Sequence, residues 1–105
     1  MAYMILKQQK NPSRPVELSP GEISLGRAID NHVIISDTTV SQHHAKIFTY
    51  FYVSYIEDLN STNGTFVNGK KIIKHILHPG DVVILGKHVF NVEDNRVLHP
   101  LSNTG

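Results

Sequence analysis

The chain contains no cysteine, which excludes disulfides and thiolate metal sites. It carries no excess of one charge: ten basic and nine acidic residues give a formal net charge of +1 over 105 residues. Spread along the whole length, that balance supplies no strong field for capturing nucleic acid or an anionic membrane, so any anion recognition must be local. No apolar run approaches the roughly 20 residues of a membrane span. The opening Met-Ala-Tyr-Met-Ile-Leu-Lys shows no long apolar core or small-residue cleavage signature, and an intracellular, cytoplasmic location is the default expectation. No segment supports a helix of about ten residues or more; Lys74 to Leu77 is too short and is bounded by Pro79.

What is present reads as strands. β-Branched and aromatic residues recur in short runs separated by Gly, Pro, Asn and Asp. The pattern predicts strands at Ala2 to Lys7, Val16 to Leu18, Ile23 to Gly26, His32 to Ser36, His44 to Tyr50, Tyr52 to Asp58, Thr65 to Val67, Lys71 to Ile73, Asp81 to Leu85 and His88 to Glu93. Ser19-Pro20-Gly21, Asn68-Gly69, His78-Pro79-Gly80 and Gly86-Lys87 fit tight antiparallel connections. So many short strands must stack as a sandwich or close as a barrel, and a chain of this length makes one all-β domain. Residues 1–97 are assigned to that domain, and 98–105, ending in Ser, Asn, Thr and Gly, to a tail or the start of a linker.

The richest segment is DLNSTNGTFVNG, from Asp58 to Gly69, with two Asn-Gly pairs five residues apart. Asn-Gly tolerates positive φ and signals a tight turn, so Ser61 to Gly64 should form a loop tip. Short hydroxyl and amide groups beside exposed backbone N–H groups suit holding an anion or another chain's backbone. They suit bond breaking poorly. Polar interest concentrates in two further places, Gly26-Arg27 after a strand and Thr38 to His44 before one.

Together, GRAIDNHVIISDTTVSQHHA, DLNSTNGTFVNG and LHPGDVVILGKHVFNV resemble the forkhead-associated (FHA) domain family in order and approximate spacing. The resemblance implies a sandwich of two twisted, mostly antiparallel sheets with about eleven short strands, presenting loops from one end to a threonine-phosphorylated peptide. A phosphothreonine carries about −1.5 to −2 charges and three acceptor oxygens, so its reader needs a guanidinium plus neutral donors on a rigid frame. Arg27 matches the charged group, and Gly26 is expected to let the strand end turn sharply. Ser41 matches the family's phosphate-binding serine and is expected to offer a hydroxyl and a backbone N–H. Gln42 stands where many relatives place arginine; it can donate to phosphate but adds no charge. Thr62 matches a hydroxyl reaching the phosphate, Asn63 the amide that grips the ligand's main chain, and Gly64 a scaffold position. His44 matches a structural histidine bracing the Ser41 and Arg27 loops, while His43 is a candidate rim contact.

A histidine pair invites a metal site, but adjacent residues entering a strand point to opposite faces. His32, His75, His78, His88 and His99 show no ligand spacing, and no cofactor is expected. Lys70, Lys71 and Lys74 beside the Asn68-Gly69 hairpin read as a solvated face away from the phosphate loops. The glycines of Gly80 to Gly86 read as turns around a buried strand. The resulting expectation is a monomeric phosphothreonine-binding module in Ser/Thr kinase signalling, neither an enzyme nor a reader of nucleic acid or membrane. The alternatives are a phosphate-independent interaction scaffold and a small hydrolase using Ser41 with His44 or His43.

Overall fold

The computed structural model describes residues 4–11 and 14–95; the tail expected at 98–105 lies outside them. Eleven strands form two sheets: β1 Met4–Gln8, β2 Val16–Glu17, β3 Gly21–Gly26, β4 Val33–Ile34, β5 Ala45–Tyr50, β6 Val53–Asp58, β7 Thr65–Val67, β8 Lys70–Ile72, β9 Lys74–Ile76, β10 Val82–Leu85 and β11 His88–Asp94. One sheet runs β2-β1-β11-β10-β7-β8, the other β4-β3-β5-β6-β9. Among the described residues the strand pairings are antiparallel except that of β3 with β4.

Period-2 alternation assigns the faces. Ala45, Ile47 and Thr49 of β5 point inward, as do Ser54 and Ile56 of β6. They meet Leu6, Val67, Val83, Leu85, Phe90 and Val92 from the other sheet, and all six are at most 2% exposed. Leu18, Ile35, Val40 and Leu77, from connecting segments, plug the space between the layers. A buried apolar layer of this kind holds the loop bases in one register, since a one-residue slip of any strand would turn its core residues to water.

The sequence pattern failed to find β9. Lys74, His75 and Ile76 lack the composition of a strand, and only pairing with β6, Tyr55 against Ile76 and Glu57 against Lys74, makes them one. β4 is only Val33–Ile34 rather than His32 to Ser36, because Asp37 and Ile35 already belong to a turned segment. The Asn68-Gly69 turn is as the sequence suggested, with φ of 52° and 83°. Asn63-Gly64 is not. Of that pair only Gly64 has positive φ, and the second left-handed residue of the loop is Asn60.

Candidate functional site

Three loops converge at one end of the sandwich: 27–32 after β3, 35–44 before β5, and 59–64 between β6 and β7. Their main chains are tied directly. Arg27 N–H donates to the Ser41 carbonyl (2.9 Å), Ala28 N–H to that of Gln42 (3.1 Å), and Leu59 N–H to that of His44 (2.9 Å). Gly26 has a reason other than turning. A Cβ there would sit 2.3 Å from the Gln42 carbonyl oxygen, so glycine is required by the close approach of two loops.

His44 is fully buried and ties the second loop to the third. Its Nδ1 accepts the Ser41 N–H (3.0 Å), which leaves Nε2 to carry the proton and donate to the Gly64 carbonyl (2.9 Å). The Ser41 N–H is therefore engaged inside the scaffold, contrary to the expectation that it faces a ligand. What Ser41 offers is its hydroxyl. Because Oγ accepts the Thr62 N–H (2.9 Å), its own proton is left to donate outward.

Arg27 is half-buried, and its Nε donates to the Val40 carbonyl (3.0 Å). This anchors the guanidinium plane while the terminal nitrogens make no ion pair with any described carboxylate. Thr62, Asn63 and Gln42 are exposed on the same end. Asn63 uses one amide hydrogen on the Thr39 carbonyl (2.8 Å), leaving a second hydrogen and its oxygen for a ligand. His43 points outward, opposite to His44, and its Nε2 lies 2.9 Å from the Asp30 carboxylate. Lys71 is exposed, as expected, but does not lie away from the loops. Its Cε would stand 2.9 Å from a Cβ on Gly64, so its stem lies over the third loop rather than away from it.

Four residues that the sequence reading passed over build the frame. Buried Asn31 donates to the Ala28 and Gln42 carbonyls (both 2.8 Å), fixing the first loop on the second. Asp58 accepts from the Ser61 hydroxyl (2.5 Å), the Thr65 hydroxyl (2.7 Å) and the Ser61 N–H (3.1 Å), which folds the third loop. Asp37 accepts from Thr39 through both N–H (2.8 Å) and hydroxyl (2.6 Å), and from His88 Nε2 (3.0 Å). Gln8 in turn meets His88 Nδ1 (2.8 Å). Thr39 also packs so tightly on Gly86 that a Cβ there would lie 2.7 Å from its carbonyl oxygen. Asp-x-Thr at 37–39 and Asp-x-x-Ser at 58–61 are local turn signals that a search for short side-chain-to-backbone motifs would have flagged.

These bonds lower both carboxyl pKa values. For Asp37 the Thr39 hydroxyl is the largest cause, followed by the Thr39 N–H and the His88 ring, and the group sits well below the usual carboxylate range. For Asp58 burial pushes upward, but the Ser61 and Thr65 hydroxyls and the Ser61 N–H outweigh it.

Residues 23–86 match the FHA domain family. The chain belongs to it. An ABC transporter ATP-binding/permease protein, Rv1747 of Mycobacterium tuberculosis, is 44% identical over 70 residues, covering 67% of this chain but 8% of the transporter. Among solved structures, an FHA domain from work on phosphothreonine-dependent FHA domain interactions superposes with a TM-score of 0.81 at 34% identity, covering 86% of this chain and 94% of that one. Mycobacterium tuberculosis EmbR in complex with a low-affinity phosphopeptide superposes at 0.82 and 28% identity, covering 90% of this FHA domain and 25% of EmbR. No helix among the described residues is long and apolar enough to cross a membrane.

Two predictions follow from the scaffold bonds. Both carboxyls are depressed below their unfolded value of 3.8, so their stabilisation is complete above that pH and is lost as pH falls through the lower folded values. Asp58→Asn should melt below wild type at neutral pH, with the gap narrowing as the pH falls below the ordinary carboxylate value; a constant gap in thermal melts would refute it. His44→Ala leaves the Ser41 N–H and Gly64 carbonyl unpaired and should cost at least about 2 kcal/mol in denaturant titration, whereas His43→Ala should stay within about 0.5 kcal/mol. Equal losses would contradict the opposed orientation of the two rings.

Proposed function

We propose that this chain is a phosphothreonine-dependent peptide-binding module that recruits a phosphorylated partner in Ser/Thr kinase signalling. The observation that carries the reading is the junction of Arg27, Ser41 and Thr62. A guanidinium anchored through Nε, a hydroxyl whose acceptor side is already occupied and a second exposed hydroxyl stand on loops bonded to one another. That is one fixed charge and a set of neutral donors, the composition that a dianionic ester with three acceptor oxygens calls for. Gln42 adds a neutral amide at the rim, and Asn63 presents its remaining amide groups to the ligand's main chain. FHA relatives solved with a phosphopeptide support the assignment.

The same bonds argue against catalysis. A serine nucleophile needs a base on its hydroxyl, yet His44 meets the Ser41 N–H, and its other nitrogen faces the Gly64 carbonyl. The domain acts, in this reading, in the cytoplasm, without cofactor, nucleic acid or membrane.

Arg27→Ala should weaken binding of a phosphothreonine peptide by about 2 to 4 kcal/mol in calorimetry while leaving the melting temperature near wild type. A folded variant with undiminished affinity would remove Arg27 from the site.

Discrimination between phosphothreonine and phosphoserine tests the rest. If the ligand's γ-methyl enters a small recess between the Ser41 and Asn63 loops, its burial is worth about 0.8 kcal/mol or more. Titration of three matched peptides should give at least a severalfold preference for phosphothreonine and no binding of the unphosphorylated form. Equal affinity for the two phosphopeptides would exclude the recess, and equal affinity for all three would make the domain a phosphate-independent scaffold.

A further inference from the structure

Asn63 has a lysine on either side of it. On one side stands Lys71, at the middle of β8 and opposite Phe66 of β7. Thr65 and Val67 are buried, so period-2 alternation puts Phe66 and its partner Lys71 on the outward face of the sheet. The lysine stem runs along that face to the third loop. A Cβ on Gly64 would meet Lys71 Cε at 2.9 Å, and Lys71 Cδ and Phe66 Cε1 both at 3.4 Å. The stem therefore occupies the space that Gly64 leaves open by lacking a side chain, with its methylenes beside an aromatic ring and its charged head in water. The ammonium lies one bond beyond Cε, next to the residue that follows Asn63.

On the other side stands Lys87, in the turn between β10 and β11. Its N–H donates to the Thr39 hydroxyl (3.2 Å), and the Thr39 carbonyl is the group that holds the Asn63 amide (2.8 Å). Both lysines are exposed, and neither forms an ion pair with a described carboxylate. Elsewhere Lys7 is engaged by Glu93, Lys46 by Glu22 and Glu57, and Lys74 by the Tyr55 ring. The carboxylates at the roots of these loops are turned away to other donors, Asp37 to Thr39 and His88, Asp58 to Ser61 and Thr65. The first loop has the opposite character. It presents Ile29, 88% exposed, and the Asp30 carboxylate. A peptide crossing the phosphate site meets a basic border on the third-loop side and an apolar, acidic one on the first-loop side.

We propose that Lys71, with Lys87, makes this end selective for phosphothreonine segments carrying acidic side chains on one flank only, the flank whose main chain Asn63 holds. The inference rests on the phosphothreonine reading and adds the chemistry of the neighbouring ligand residues. A ligand carboxylate on that flank is met by ammonium groups that no protein anion neutralises, whereas on the other flank it meets Asp30, a like charge. Exposed ion pairs are individually weak, each worth at most about fivefold in affinity. Together the lysines therefore tune the choice of partner, and Arg27 remains the group on which binding itself depends. The preference is electrostatic and exposed, so it weakens as the screening length shortens from about 10 Å at 0.1 M salt to about 3 Å at 1 M.

The test is calorimetry of the 105-residue chain at about 50 mM salt with three phosphothreonine peptides. They are alike except that a pair of glutamates stands before the phosphothreonine, stands after it, or is replaced by glutamines. One acidic-flank peptide should bind about three- to tenfold tighter than the glutamine peptide and the other no tighter, with the gap shrinking at about 0.5 M salt. Lys71→Gln should at least halve that ratio, Lys87→Gln should lower it as well, and Lys71→Arg should keep it. Lys70→Gln, the same charge change one position away on β8, should leave the ratio as in wild type. Equal affinities for the glutamate and glutamine peptides would overturn the proposal, as would equal gains on both flanks or an undiminished ratio in Lys71→Gln. Failure of all three phosphopeptides to bind would strike the phosphothreonine reading itself, and this inference with it.

Discussion

The recognition end depends on one buried imidazole. His44 accepts the Ser41 N–H and donates to the Gly64 carbonyl, and that pair of bonds requires a single neutral tautomer. Several features then follow. The Ser41 main chain is turned inward, so only its hydroxyl faces outward. The Gly64 carbonyl must point at the ring, which the chain achieves with φ of 87° at a residue without a Cβ. Ser41, held from one side by His44, holds Arg27 from the other through its carbonyl. Displacing the ring would move the charged group and both hydroxyl donors at once, although it touches none of their functional atoms.

A second system of bonds joins the two sheets at the same end. Gln8, His88, Asp37, Thr39 and Asn63 form a continuous path from β1 and the start of β11 through the second loop to the third. A sandwich whose layers meet only through apolar side chains can shift its loops slightly at little cost. Directional bonds from one sheet to loops rooted in the other remove that freedom. The ordering cost is then met on folding rather than on binding, so a ligand held at this end would not have to meet it.

How much of this was legible depended on the range of the interactions. The strands with alternating apolar residues, the Asn68-Gly69 turn and the ordered blocks around Arg27, Ser41 and Thr62 were visible because their signals are local. β9 was not, since Lys74, His75 and Ile76 become a strand only through β6. The Asn63-Gly64 pair marked the loop correctly but not its backbone: Asp58 grips Ser61 and Thr65, and the positive φ values fall at Asn60 and Gly64. Gly26 looked like a turning residue and proved to be a space requirement, which no sequence window contains. The Asp37–His88 bond spans 51 positions and the Gln8–His88 bond 80, so their pairing is written only in the fold.

The two ends of the five-stranded sheet solve opposite problems with the same strands. At the start of β5 polar groups are numerous, and nearly all are paired with one another, so the few left over are aimed by the pairing of the rest. At its end the exposed groups are aromatic and non-directional, held out by a turn that would be easier without them. Hydrogen bonds specify where a ligand atom must sit, and apolar area does not. The same two strands therefore carry a directional site at one end and undirected apolar area at the other. Because the connecting β5–β6 ladder is antiparallel and continuous from Ala45 against Asp58 to Tyr50 against Val53, substitutions at the hairpin tip leave the ladder below intact. The phosphate loops are therefore insulated from the hairpin tip.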